Sequence, residues 1–144
     1  MQDASVEALL AAYGESDLVP TRAQWEHLLA SPPRRIVVVN FFRIREKADP
    51  AHTAGAALTG FEAMLRYSSV STRKVAAVGG RFLTTALVDA VLMGGDEPWS
   101  LVAVAEYPSP AALVRLFADP EYQAAHRFRL AAVATQRVIV ANVI

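Results

Sequence analysis

The spacing of apolar residues changes near residue 34 and separates a helical beginning from a part rich in strands. Positions i, i+3, i+4 and i+7 are apolar in the first segment, which predicts a short helix ended by Gly14 and facing inward through Val6, Leu9, Leu10 and Tyr13. Thr21 and Gln24 then have the spacing of a capping box, and the helix that they open is ended by Pro32-Pro33. Its expected inward stripe is Trp25, Leu28 and Leu29. Both helices are too short to be stable alone, so they must dock on the rest of the chain.

The pattern from residue 35 onward predicts alternating strands and helices. Ile36 to Phe42 is β-branched and aromatic, as in a central strand. A helix is expected after Asp49-Pro50, and extended chain over 75–80 and 81–93 with a kink near Thr84–Leu87. The expected inward face of that helix is formed by Ala57, Leu58, Phe61, Met64 and Leu65. Further strands are predicted at 99–107 and 138–143, and helices begin at Ser109-Pro110 and Asp119-Pro120.

This order is the β-α-β-β-α-β arrangement of a ferredoxin-like α+β fold, in which the helices lie on one face of an antiparallel sheet. We therefore divide the chain into an N-terminal helical extension, 1–34, and a ferredoxin-like domain, 35–144.

The predicted strands are apolar on both faces, although a sheet with one solvated face normally alternates apolar and polar residues. In the first strand Val37, Val39 and Phe41 point away from Ile36, Val38 and Phe42. The N-terminal helices could cover part of the second face. A second copy of the sheet covers all of it, so the pattern favours a homodimer.

Composition narrows the function classes. Fourteen basic residues balance fourteen acidic ones, so no excess of positive charge is present to bind nucleic acid or an anionic membrane. Cysteine is absent, which removes disulfides and thiolate chemistry. The start, Met1-Gln2-Asp3, lacks the basic residues of an export signal, and no apolar run is long enough to span a bilayer. We therefore expect a cytoplasmic protein.

The last helix carries the strongest candidates for chemistry. At 100° per residue, Tyr122, His126 and Arg129 share the side that should pack on the sheet. Charged residues are seldom buried without a partner. A pocket in which Arg129 binds a carboxylate or enolate while His126 or Tyr122 transfers a proton explains this set. The alternative is structural: Glu106 or a helix-end carbonyl satisfies Arg129, and His126 is only a packed polar side chain.

Weaker candidates for ligand binding are Asn40, Arg43, Tyr67 and Glu106. Asn40 interrupts an apolar strand, and a buried amide needs hydrogen bonds from backbone or ligand. Arg43 and Glu106 lie near strand ends, where rim ion pairs are the simpler explanation, and packing is the simpler explanation for Tyr67. No metal site is predicted, since the chain's histidines, His27, His52 and His126, lie far apart in the sequence. No cofactor motif is present.

Several motifs of the chain resemble one known family. They are Gly79-Gly80-Arg81-Phe82-Leu83, Tyr107-Pro108-Ser109, and Asp119-Pro120-Glu121-Tyr122-Gln123 followed by His126-Arg127, together with Asn40, Arg43, Arg45 and Tyr67. In order and spacing they are similar to the family called domain of unknown function 1330, over about residues 35–144. The resemblance implies a ferredoxin-like protomer whose sheet packs against a second copy in a dimeric α+β barrel. That superfamily includes cofactor-free monooxygenases, haem enzymes, isomerases and effector-binding domains, so the resemblance selects no activity.

Two functions stay open on these grounds. The first is a small-molecule-binding dimer that acts, without a cofactor, on an aromatic or carboxylated metabolite. The second is a non-catalytic structural or protein-interaction dimer. The first predicts a cavity between the last helix and the sheet, with at least two of Tyr122, His126 and Arg129 in its wall.

Overall fold

Helices and strands follow one another in the predicted order in the computed structural model, which describes residues 4–144. The helices are α1 (Val6–Tyr13), α2 (Arg22–Ala30), α3 (Gly60–Ala77), α4 (Pro110–Ala118) and α5 (Pro120–Ala132), with a short 3-10 turn at Pro50–His52. The strands are β1 (Ile36–Ile44), β2 (Arg81–Leu87), β3 (Leu101–Tyr107) and β4 (Val133–Asn142). The expectation drawn from Met1-Gln2-Asp3 lies outside the described residues.

The four strands form one antiparallel sheet in the order β2-β3-β1-β4. Ile36 of β1 stands opposite Tyr107 of β3 on one side and Asn142 of β4 on the other. Helices α3, α4 and α5 bury their apolar sides against a single face of this sheet, which we call the inner face. The ferredoxin-like α+β prediction is confirmed.

Side-chain caps explain where several helices begin. Thr21 with Gln24 and Thr59 with Glu62 each form a complete capping box, so the predicted box at Thr21 is confirmed. Asp119 ends α4 and caps α5, where its side chain accepts a hydrogen bond from the Tyr122 amide. Its other oxygen lies 2.9 Å from Lys74 Nζ, which ties α5 to α3. Asp119 thereby fixes where α5 begins and hence which side chains face the sheet.

Helix α3 differs from its prediction. It begins at Gly60 and continues to Ala77, so Ala57 and Leu58 precede it. The expected extended chain at 75–80 is wrong, because 75–77 belong to the helix and 78–79 form a turn. Its buried face carries Ala63, Met64, Tyr67, Ser71 and Val75. Phe61 and Leu65, which were expected inside, are exposed. The prediction failed because Tyr67 and Ser71 carry hydroxyl groups and were not counted as part of the inward face. The predicted apolar face was therefore rotated away from the buried one.

Two strand predictions also need correction. Strand β2 ends at Leu87, and residues 88–100 form no regular element, although 88–93 was expected to be extended. Strand β4 begins at Val133 instead of residue 138, and it follows α5 without a loop. The start of β4 was missed because the residues at 135–137 are polar and interrupt the apolar pattern by which a strand is recognised in the sequence.

The N-terminal helices dock on the helix layer rather than on the second, outer face of the sheet. Trp25 of α2 is fully buried and packs against Tyr13 of α1 and Phe117 of α4. The Tyr13 hydroxyl donates to the Phe117 carbonyl at 2.7 Å. Leu29 was expected inside but is partly exposed. Within residues 4–144, no helix combines the length and apolarity needed to cross a bilayer.

Both faces of the sheet are apolar, as predicted, but the helices cover only one of them. Ile36, Val38 and Phe42 are buried on the inner face, whereas Val37, Val39 and the alternate residues of β3 are only partly buried on the outer face. The described helices therefore leave the outer face available.

Candidate functional site

A cavity of about 1160 Å³ lies between the inner face of the sheet and the helices. Its walls come from all four strands, from α3, α4 and α5, and from the segment 17–34 that contains α2. Tyr122, His126 and Arg129 all line it, which confirms the cavity that the angular spacing of α5 predicts. This volume is slightly larger than the range of about 300–1,000 Å³ that is usual for pockets that hold small molecules.

Arg129 is the charged group at the centre of this wall and is only 8% exposed. Its Nε and Nη2 donate to Gln136 Oε1 at 3.2 and 2.9 Å. Its Nη1 donates to the Tyr67 hydroxyl at 3.2 Å, and Nη2 also donates to Asn40 Oδ1 at 3.3 Å. The guanidinium carbon lies 4.7 Å from the centre of the Phe42 ring. The side chain is thus fixed in position by β1, α3 and β4.

These partners are all neutral. No carboxylate forms an ion pair with Arg129 among residues 4–144. A guanidinium keeps its charge at every physiological pH. Burying an ion without a counter-ion costs several kcal/mol, which hydrogen bonds and a ring face offset only in part. The cavity therefore contains a positive charge that an anionic ligand would neutralise.

Asn40 is part of the same arrangement. Its Nδ2 donates to the Ala103 carbonyl of β3 at 3.1 Å, which orients its Oδ1 toward Arg129. The structural need of the amide is therefore met by backbone, and its oxygen helps to hold the cation.

Two tyrosines lie beside the guanidinium. The hydroxyls of Tyr67 and Tyr122 are 2.7 Å apart, and either can be the donor. Burial, and then the nearby Tyr67, raise the pKa of Tyr122 well above its usual value. Tyr122 therefore stays a neutral hydroxyl, which can donate a hydrogen bond but does not supply a negative charge to Arg129.

His126 is 4% exposed and sits among aromatic rings. Its ring centre lies 5.0 Å from that of Tyr13 in an edge-to-face contact, and 5.9 Å from that of Tyr122. Neither imidazole nitrogen forms a hydrogen bond with another described residue. Burial, and secondarily the charge of Arg129, lower the pKa of His126 to about 3. The imidazole is therefore neutral at physiological pH, with an acceptor nitrogen that no described side chain occupies.

The segment 17–34 supplies a wall that the sequence did not predict. Leu18, Trp25 and Leu28 line the cavity from the side of the N-terminal helices. Gln136 Nε2 donates to the Leu18 carbonyl at 2.8 Å, so Gln136 connects this wall to Arg129. Gln136 was missed because the last strand was expected to begin only at residue 138. The pairing of a Gln with a buried Arg is a signal only once β4 is known to begin at Val133.

Two predicted ligand-binding residues lie elsewhere. Arg43 is exposed near the end of β1 and does not line the cavity. Glu106 lies on the outer face of β3, where it pairs with Arg35 and, at 3.2 Å, with Arg81. Strand alternation explains both positions, since odd-numbered residues of β1 and even-numbered residues of β3 point outward. Glu106 therefore does not satisfy Arg129, and neither residue is positioned to contact a ligand in the cavity.

The buried part of the cavity offers one fixed cation, neutral hydroxyl donors and a neutral base, whereas the charged residues Asp17 and Arg34, which also line the cavity, are exposed. This set suits an anion that also carries an apolar or aromatic part. Three or more His, Asp or Glu side chains do not converge anywhere among residues 4–144.

Comparison with known proteins identifies relatives over most of the chain. The profile of the family described as Domain of unknown function (DUF1330) matches residues 53–143. The RPA0582 protein of unknown function from Rhodopseudomonas palustris is 31% identical, with 90% of this chain and 98% of that one covered and a TM-score of 0.80. The methylated RPA0582 protein gives 32% identity, coverage of 88% and 94%, and a TM-score of 0.81.

A further match is more distant. A dimeric protein of unknown function and ferredoxin-like fold from Bacteroides fragilis is 12% identical, with 76% of this chain and 96% of that one covered and a TM-score of 0.49. No curated protein sequence matches the chain significantly.

The buried neutral imidazole makes the protein sensitive to acid. Below pH 6.5 the unfolded chain protonates His126, whereas the folded protein does so only near pH 3. The unfolded state then binds more protons, so this residue should lower the unfolding free energy by about 1.4 kcal/mol per pH unit as the pH falls through that window. Urea unfolding of wild type and His126→Phe from pH 7 to pH 4 measures the difference. The exposed His27→Gln is the control, and parallel curves for wild type and His126→Phe would contradict the assignment.

Proposed function

The chain belongs to the family described as Domain of unknown function (DUF1330), and from the geometry of its cavity we propose that it binds a small organic anion there. The anionic group, a carboxylate or enolate, lies against Arg129, and the aromatic or apolar part lies in the surrounding cavity. This is the small-molecule-binding function expected from α5.

One observation supports the proposal most strongly: Arg129 is held by neutral partners only. If the residue served packing alone, a methionine or leucine would fill the space without the cost of desolvating a charge. Four of the five guanidinium N–H groups donate to Gln136, Tyr67 and Asn40, so an anion in the cavity would accept from the remaining Nη1 N–H and be held otherwise by the positive charge.

Proton transfer on the bound anion is a second candidate function, favoured by the acceptor nitrogen of His126. An anion at Arg129 would offset the part of the pKa lowering of His126 that Arg129 causes, so the imidazole would be a stronger base in the complex than in the free protein. In this reaction the C–H bond next to the carbonyl of a 2-oxo acid breaks, its electrons form the enolate, and the proton moves to His126. Arg129 and the Tyr122 hydroxyl stabilise the negative oxygen. Return of the proton to that oxygen gives the enol, so atoms and charge balance without a cofactor.

We also propose that the protein is a homodimer formed through the outer face of the sheet. Val37, Val39 and Phe41 of β1 and the apolar residues of β3 remain partly exposed there, and Ile139 of β4 is 45% exposed. Removing such a surface from water contributes roughly 25 cal/mol per Å². A second copy presents the same flat apolar surface, and a twofold pairing closes on itself. The non-catalytic alternative for this chain, a structural or interaction dimer, shares this surface but leaves the cavity unused.

Anion binding can be tested by the effect of benzoate on unfolding. At a concentration a hundred times its Kd, benzoate should raise the unfolding free energy by about 2.7 kcal/mol, because it binds only the folded state. Arg129→Gln should lose this response. Arg127→Gln, on the exposed side of the same helix, should keep it. Benzamide, which has the same shape without the charge, should have a much weaker effect on the wild type.

A second variant keeps Arg129 and neutralises its positive charge with a neighbouring carboxylate. Gln136→Glu places a carboxylate where an oxygen now lies 2.9 and 3.2 Å from Arg129 nitrogens. The variant also loses the hydrogen bond from Nε2 to the Leu18 carbonyl, so its circular dichroism spectrum is compared with that of the wild type. The folded variant should lose the response to benzoate. An unchanged response in both Arg129→Gln and Gln136→Glu would refute anion binding at this position.

Catalysis can be tested on phenylpyruvate, whose keto and enol forms differ in ultraviolet absorbance. His126→Gln and Tyr122→Phe should each slow the wild-type interconversion about a hundredfold or more, the usual contribution of a general acid or base. Arg127→Gln serves as the control. Equal rates in wild type, His126→Gln and buffer would leave binding as the function of the cavity.

The dimer can be tested by sedimentation at micromolar protein. Wild type should sediment at twice the 15.5 kDa of one chain. Val39→Lys, which places a charge in the centre of the outer face, should sediment as a single chain with an unchanged circular dichroism spectrum. Leu65→Lys, on the exposed side of α3, should remain dimeric. A wild type that sediments as one chain would rule out this interface.

A further inference from the structure

An apolar surface continues from Arg129 along the inner face of the edge strand β4. Beyond Gln136, this face carries Val138 and Val140, which stand opposite Asn40 and Val38 of β1. Both valines line the cavity, and they are 43% and 47% exposed. We call these two valines, together with Val38, Trp25 and Leu28, the β4 channel.

We propose that the ligand is an amphiphilic carboxylate whose apolar body lies along the β4 channel, with its head at Arg129. This inference rests on the anion binding proposed above and extends it to a class of ligand. It also gives the N-terminal helices a function, since α2 supplies one wall of the channel.

The strand geometry sets the length of the body. Gln136, which touches Arg129, and Val140 lie four residues apart on the same face of β4. At about 3.4 Å per residue, they are separated by roughly 13 Å. The body is thus longer than a single aromatic ring, and a medium-length alkyl chain or an extended aryl group would fill the channel.

The exposure of Val138 and Val140 supports an occupant at this position. Inner-face residues of β1 and β3 are buried beneath the helices, whereas these two residues on the same face are nearly half exposed. Segment 17–34 lines the cavity next to them but leaves them accessible. An apolar chain between α2 and β4 would remove this surface from water, and its head would meet the unpaired cation at the inner end.

Gln136 is a positioning residue in this arrangement. One of its amide atoms holds Arg129, and the other holds the backbone of Leu18 at 2.8 Å. The anion-binding end of the channel and its N-terminal wall are therefore fixed by the same side chain.

The channel can be tested with a series of linear carboxylates, from butanoate to decanoate, titrated calorimetrically into the full chain. Each buried methylene contributes about 0.8 kcal/mol, so Kd should fall about fourfold per methylene until the channel is filled. In the double variant Val138→Thr, Val140→Thr the decrease per methylene should be clearly smaller than in the wild type. Threonine has nearly the shape of valine and suits a strand, so the variant should fold.

Two further variants separate the head from the body. Arg129→Gln should weaken every member of the series by a similar factor, because it removes the charge common to all. Ile139→Thr, on the outer face of the same strand, should leave the whole series unchanged.

The possible failures are distinguishable. If all chain lengths bind with equal affinity, or if the length dependence persists in the double threonine variant, the β4 channel is overturned and anion binding stands. If neither benzoate nor any member of the series binds, the proposed function and the channel fall together.

Discussion

The cavity is organised around a positive charge that the protein buries without a negative one. Arg129 is desolvated, and its hydrogen bonds end on two amide oxygens and a phenol. Neutral acceptors orient a guanidinium but leave its charge uncompensated. The folded protein is therefore less stable than it would be with a carboxylate beside Arg129 or with an apolar residue in place of Arg129. Retaining the cation is understandable if a ligand supplies the anion.

The rest of the fold is arranged to hold that cation. Strand β1 contributes Asn40 and the ring of Phe42, helix α3 contributes Tyr67, and β4 contributes Gln136. The ion pair between Asp119 and Lys74 fixes the start of α5 against α3. This contact helps to place the whole helix, and with it Arg129 near its other end, against the sheet. Burial lowers the pKa of His126 and keeps it neutral, and the positive charge of Arg129 lowers that pKa further.

The sequence predicted the parts of this arrangement that depend on local pattern. The side shared by Tyr122, His126 and Arg129 follows from helix periodicity, and the start of α5 follows from Asp119-Pro120. What the sequence could not predict depends on tertiary pairing. Tyr67 was taken for a flanking residue because the stripe of α3 was misplaced, and Gln136 was hidden because the change from α5 to β4 carries no turn signal. Glu106 was considered as a partner for Arg129, but strand alternation points it to the other face.

The direct passage from α5 into β4 has a consequence for how this protein can vary. Ala132 and Val133 join the two elements with no intervening loop, and the backbone amides of Arg45 and Asp49 hold the junction by hydrogen bonds to the carbonyls of Ala132 and Ala131. Because strand side chains alternate, inserting or deleting a single residue here would turn Gln136, Val138 and Val140 to the opposite face. Homologous proteins that keep this cavity should therefore conserve the length of the junction.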